Sequence, residues 1–310
     1  MEIATREAYG IALAEIGAQN ENIVVLDADI SKATKTENFK KVCPDRFINM
    51  GIAEGDMMST AAGLSTCGKI VFASTFAMFA AGRGYEQIRN SICYPNLNVK
   101  VAATHAGISV GEDGASHQCI EDIALMRVIP NMTVFSPCDA TETKAIIKYC
   151  VENKGPMYIR LGRLKVQDVF NEESYKFKFG CGVEIADGGD IAIFATGMMT
   201  GVAIKANELL KAKGIKARII NIHTIKPIDK EIIIKAAKDI GKIVTLEEHN
   251  IYGGFGSAVC EVLSENYPTK VKMIGVSDQF GKSGKAEEVI KLYGLDAESV
   301  AKKIEEFVKN

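Results

Sequence analysis

The stretch Thr104-His105-Ala106-Gly107-Ile108-Ser109-Val110-Gly111-Glu112-Asp113-Gly114-Ala115-Ser116-His117-Gln118 holds two of the chain's four histidines, an acidic pair between glycines, and a hydroxyl beside the second histidine. Leu97, Val99, Val101 and Ala102 precede it in an apolar strand pattern, and Ile120, Ile123, Ala124 and Met126 follow it at helical spacing. His105 therefore falls where a buried strand ends. Open α/β sheets bind their ligands in the crevice outside the carboxyl ends of the strands. A polar turn with a helix cap is the plainer alternative. It gives no reason for Glu, Asp and two His to sit together beside buried backbone.

Outward from this run, short β-branched segments alternate with helical patterns. Strands are expected at 23–26, 48–50, 70–73, 99–103, 132–135 and 157–159, with helices at 3–18, 54–66, 78–92, 118–128 and 140–152. The alternation breaks where charged residues and Gly180, Gly182, Gly188 and Gly189 accumulate, then resumes from Ile191 to a closing helix at 296–308. This order predicts an α/β chain of two doubly wound domains with mostly parallel sheets, one at 1–165 and one at 189–310. A linker at 166–188, holding a short strand, joins them.

The whole-chain balance narrows the function classes. At 310 residues, 47% hydrophobic and 25% charged, the chain has the composition of an ordinary globular protein. A net charge of −2 leaves no electrostatic footprint for nucleic acid or an anionic membrane. Met1 to Arg6 lacks the apolar core of a signal peptide, and Ile70 to Ala81 is too short and interrupted to span a bilayer. Eight scattered cysteines without a CxxC pair imply reduced thiols in the cytoplasm and no structural zinc site.

Glu54 stands just past a short strand, at the first turn of a helix. Alone, a carboxylate there compensates the helix dipole, an effect of about 0.3–1 kcal/mol. Phe76 and Phe79, however, end the next strand, and the 104–118 run ends the one after. In a parallel sheet these ends share one edge, so a carboxylate, two aromatic rings and two histidines meet in one crevice. That set suits a flat, nitrogen-rich heteroaromatic ring.

With these residues in view, the chain resembles the transketolase family of thiamine-diphosphate enzymes. The resemblance rests on the GIAE segment at 51–54, the STF segment at 74–76, the TH…GEDGASHQ run at 104–118, Ile129-Pro130-Asn131-Met132 and His223-Thr224-Ile225-Lys226-Pro227. It covers nearly the whole chain and corresponds to the family's pyrimidine-binding and C-terminal domains. It implies Glu54 as the ligand of N1′ of the cofactor's aminopyrimidine, with Phe76 and Phe79 packing that ring. Gly82 stands where the family often has a further aromatic, so that ring contact either comes from Tyr85 or is missing. His105 and His117 correspond to histidines facing the sugar, with catalytic work suited to imidazole, and Asp113 to a reader of a substrate hydroxyl. Arg6 and Arg163 correspond to sugar-phosphate ligands, where a planar guanidinium bonds two oxygens. Arg160 competes with Arg163 for that role, and alignment favours Arg163. Asp29 corresponds to an aspartate near the thiazolium, although Ala33-Thr34 stands where the family often has a serine.

The family holds the cofactor's diphosphate through a metal on a GDG…N motif in a preceding domain. No Gly-Asp-Gly occurs in this chain. The resemblance therefore implies the C-terminal subunit of a split transketolase, with no metal ligand of its own. Its partner would be an N-terminal subunit carrying the GDG…N motif and the Mg²⁺–diphosphate site. Sugar phosphates would be its substrates, and self-association would form the core of an assembly holding two copies of each chain. Half of a deoxyxylulose-phosphate synthase-like enzyme and a non-catalytic assembly subunit are the alternatives. Gly253-Gly254-Phe255-Gly256 also looks like the start of a dinucleotide fingerprint, but Val259 stands where its third glycine belongs. Glu247-Glu248-His249 reads as a hydrogen-bonded cluster at a strand end.

Overall fold

A computed structural model describes residues 2–309; Met1 and Asn310, the outermost residues of the two expected domains, lie outside the described residues. The first sheet contains β1 (Ile23–Asp27), β2 (Phe47–Asn49), β3 (Ile70–Phe76), β4 (Val99–Thr104), β5 (Thr133–Phe135) and β6 (Met157–Arg160). The second contains β7 (Val183–Ala186), β8 (Ile191–Ala195), β9 (Ala217–Asn221), β11 (Lys242–Asn250) and β12 (Lys270–Val276). A short strand, β10 (Thr224–Lys226), leaves the second half of the chain to pair antiparallel with β5.

The strand orders are β10-β5-β6-β4-β3-β1-β2 and β12-β11-β8-β9-β7. All pairings are parallel except β10 with β5 and β7 with β9. Central strands read as continuous apolar runs because helices cover both faces. Every residue of β1, β4 and β8 is buried. Lys100 in β4 is part of that core, and its ammonium donates to Asn98 Oδ1 (2.7 Å), Gly155 O (2.8 Å) and Asn153 O (2.9 Å). Burial pushes its pKa down to about 8.

Three local expectations change. The helix expected at 118–128 begins only at Asp122. The residues before it are held as a loop, with Gly107 N–H donating to Cys119 O (2.8 Å) and Asn250 N–H to Ile120 O (2.9 Å). The helix expected at 78–92 is interrupted: Ala77–Gly82 is followed by a break at Arg83 and Gly84, then a π-helical turn over Ile88–Cys93. Strand β11 runs through to Asn250, so Glu247, Glu248 and His249 form its buried, hydrogen-bonded carboxyl end rather than following it.

The two sheets share one apolar core, in which Leu26, Val101 and Val134 join Phe194, Ile222, Ile225 and Phe255. With β10 hydrogen-bonded to β5, the second half of the chain is fastened to the edge of the first sheet. Among the described residues no helix is long and apolar enough to cross a membrane.

Candidate active site

The carboxyl ends of β1, β2, β3 and β4 lie side by side on one edge of the first sheet. Glu54 opens the helix Glu54–Thr66 just after β2 and is only 4% exposed. Arg83 Nη1 approaches both its carboxylate oxygens, at 3.3 and 3.4 Å. The same guanidinium lies over the Phe79 ring, 4.4 Å from its centroid. Cation–π attraction and a half-exposed ion pair thus hold one side chain across the carboxylate and the ring.

Phe76 and Phe79 stack with centroids 5.9 Å apart and planes 25° from parallel. His105 packs on Phe76 at 4.0 Å, and His117 sits edge-on to Phe79 at 5.3 Å. The structure therefore brings Phe76, Phe79, His105 and His117 into contact at one sheet edge, with Glu54 joined to them through Arg83. Tyr85 packs partly buried against the apolar core and makes no ring contact with Phe76 or Phe79 among the described residues. Arg83, not an aromatic, covers Phe79 beside Gly82.

His105 sits at the end of β4 with φ +58°, an uncommon backbone state for a residue with a side chain. Its Nδ1 is 2.9 Å from Thr104 Oγ1, and its Nε2 is 3.2 Å from Arg6 Nη1. Arginine only donates, so Nε2 accepts and the proton resides on Nδ1, donated to Thr104. Burial, then the positive charges of Arg6 and Arg163, push the His105 pKa down to about 3. The ring is neutral at physiological pH. Ser116 Oγ contacts His117 Nδ1 at 3.0 Å.

Arg6 also donates to Ala33 O (2.8 Å), which brings the loop after β1 against the histidine. Burial lowers its pKa. Arg163 contacts Val110 O through Nη1 and pairs with Glu112 (3.4 Å) and Asp113 (3.6 Å). Arg6, Arg163, Lys165 and Lys285 line one cavity of about 450 Å³ together with Ser109 and Glu112. Arg160 lies elsewhere: it is 7% exposed, and its Nε donates to Asp122 Oδ2 at 2.9 Å. Asp29 is exposed and accepts from Asn49 Nδ2 at 2.7 Å. Its neighbour Asp27 shapes the loop instead, accepting from Ile30 N–H (2.7 Å), Thr34 (2.6 Å) and Thr36 (2.8 Å).

The glycine-rich turn of the second half holds no free anion slot at its helix start. The N–H groups of Phe255 and Gly256 donate to Glu247, at 2.7 and 2.8 Å. A protein carboxylate already takes the position that a phosphate would occupy.

Sequence reasoning missed Arg83, and it placed Glu248 in a hydrogen-bonded cluster without its contact to the first domain. Arg83 stands between two glycines where no period singles it out. Glu248 lies in the second domain yet accepts the Ser109 N–H of the His105 loop, at 2.5 Å.

Comparison with known proteins agrees with this architecture. Residues 1–168 match the family model of the transketolase pyrimidine-binding domain, and residues 180–300 match that of the transketolase C-terminal domain. A Methanocaldococcus jannaschii protein, provisionally named as a transketolase C-terminal section, is 53% identical over 98% of this chain and 96% of its own length. One of the subunits of the apulose-4-phosphate transketolase of Phocaeicola vulgatus is 38% identical over 99% of this chain and 98% of its own. A solved structure described as a split-gene transketolase, inactive beta4 tetramer, superposes with a TM-score of 0.92 at 55% identity, covering 99% of each chain. The chain belongs to the transketolase family, of which it carries the pyrimidine-binding and C-terminal domains.

Proposed function

We propose that this chain is the C-terminal subunit of a split transketolase, transferring a two-carbon ketol group from a ketose phosphate to an aldose phosphate. The observation that carries the reading is the convergence of Glu54, the Phe76–Phe79 pair, His105, His117 and Arg6 at one sheet edge. Its relatives' names support a divided enzyme, one being a subunit of an apulose-4-phosphate transketolase and another a split-gene transketolase. The beta4 tetramer of the latter supports self-association of this chain.

The residues fit thiamine diphosphate. Glu54 is a buried carboxylate whose ion-pair partner, Arg83, is 55% exposed and free to swing aside. Beside it lie two stacked apolar faces, a donor set suited to an aminopyrimidine ring. When bound, the cofactor supplies the carbanion chemistry of C–C bond cleavage and formation. Glu54 would bond N1′ and hold a proton there, and Phe76 and Phe79 would pack the pyrimidine. Asp29, exposed at the end of β1, would lie toward the thiazolium side. The diphosphate and Mg²⁺ would be held by the partner subunit's GDG…N motif.

His105 and His117 would face the sugar. The tautomer of His105 fixed by Arg6 leaves Nδ1 as its donor, so proton exchange falls more naturally to the less buried His117. Asp113 would accept from a sugar hydroxyl once released from Arg163. Arg6 and Arg163 would bind the phosphate. Reconstitution with an N-terminal subunit, assayed with xylulose 5-phosphate and ribose 5-phosphate against pyruvate and glyceraldehyde 3-phosphate, tests the reaction class. Turnover confined to the second pair would replace ketol transfer with a deoxyxylulose-phosphate synthase-like activity.

A further inference from the structure

We propose that Glu248, from the second domain, is a positioning residue for the substrate loop, so that this domain helps to recognise the sugar phosphate as well as to build the fold. The proposal rests on the reading of His105 and Arg163 as substrate ligands.

The segment Gly107 to Val110 joins those two side chains. At one end it follows His105; at the other, Val110 O contacts Arg163 Nη1. Between them the Ser109 N–H donates to Glu248 Oε1 at 2.5 Å, across the domain boundary. Ser109 is fully buried. The bond to Glu248 is the anchor that comes from the second domain's β11, beside local ones from Gly107 N–H to Cys119 O (2.8 Å) and Gln118 Nε2 to Ile108 O (3.0 Å). Gly107 is built to match, since at φ +83° a Cβ there would stand 2.3 Å from Glu248 Cδ. Only a glycine allows the loop to lie this close to the carboxyl.

Glu248 is itself fixed. It is 3% exposed, and Arg160 Nη2 donates to its backbone oxygen at 2.9 Å. Arg160 is held in turn by Asp122, which also accepts from Tyr158 Oη at 2.9 Å. Burial raises the Glu248 pKa, and the nearby Arg160 charge offsets part of that cost. A strand of one domain thus holds the backbone that follows His105 and meets Arg163 in the other, the two side chains read above as substrate ligands.

The experiment compares Glu248→Ala and Glu248→Gln in the complex reconstituted with the N-terminal subunit. Glutamine keeps an oxygen acceptor at the same reach; alanine removes it. For Glu248→Ala we expect amide hydrogen exchange at 107–110 to quicken about tenfold, since one backbone anchor is lost. The KM for ribose 5-phosphate should rise about tenfold, with thiamine-diphosphate affinity unchanged, and Glu248→Gln should restore both. A general loss of stability would weaken cofactor and sugar binding together, without rescue by glutamine. If Glu248→Ala does not fold, Glu248→Asp, one methylene too short, is measured for the same changes. An unchanged KM beside a His105→Ala variant that impairs ribose 5-phosphate use overturns the positioning role. An unchanged KM in both variants overturns the reading of His105 itself.

Discussion

Arg83 bridges Glu54 and Phe79, lying 3.3 Å from the carboxylate and 4.4 Å above the ring. It occupies the space between the two groups that the aminopyrimidine reading assigns to one ligand. The side chain is 55% exposed, so its attraction to Glu54 is screened by water even though Glu54 is buried. A double-mutant cycle of Arg83→Ala and Glu54→Gln, followed by urea unfolding, should give a coupling of about 0.5–1 kcal/mol. A coupling of zero within error contradicts the pair.

Glu54→Gln should leave the fold intact but remove the carboxylate at N1′. In the reconstituted complex we expect hydrogen–deuterium exchange at the cofactor's thiazolium C2 to slow by at least about 100-fold, the usual scale of a lost acid–base partner. Exchange at the normal rate would exclude Glu54 from that role.

Arg163→Ala separates phosphate binding from loop structure. The residue is paired with Glu112 and Asp113, so its loss frees two carboxylates as well as removing a cation. With phosphorylated acceptors kcat/KM should fall about 10- to 100-fold, the scale of a charge-assisted contact of roughly 1.5–3 kcal/mol. With unphosphorylated aldehydes the loss should be much smaller. Equal losses would place Arg163 outside the phosphate site.

The main architecture is legible in the sequence because buried parallel strands leave short apolar runs. Glu54, Phe76 and His105 each follow such a run, which is why their common edge could be inferred. Other features leave no such trace. Lys100 looks like a polar interruption of β4, yet three oxygen acceptors allow it to be buried. Strand β10 has only three residues, and its pairing with β5 depends on distant chain. Arg83 gains significance only when the break after Gly82 turns it across Phe79. Glu248 pairs with a backbone N–H separated from it by 139 residues, a contact that no local pattern encodes.

His223 provides a pH test of the interface between the halves. It is fully buried, with Nδ1 2.7 Å from Thr224 Oγ1, its ring 4.7 Å from that of Phe177, and no partner at Nε2 among the described residues. Burial pushes its pKa down to about 4. The fold therefore favours the neutral ring: this contribution is complete above the unfolded value of about 6.5 and is lost as pH falls through about 4. Relative to His223→Gln, wild-type stability should fall by about 1.4 kcal/mol per pH unit across that interval. Urea unfolding at several pH values measures the difference. Parallel pH profiles for the two proteins would contradict the assignment.

The central claim is that this chain supplies half of a catalytic site. Its most direct measurement is ketol transfer from xylulose 5-phosphate to ribose 5-phosphate by the purified chain, with and without an N-terminal subunit carrying GDG…N, in thiamine diphosphate and Mg²⁺. The expected result is no turnover from the chain alone and turnover when the two subunits are combined. Robust turnover by the single chain, or none from the combined subunits, would contradict the claim.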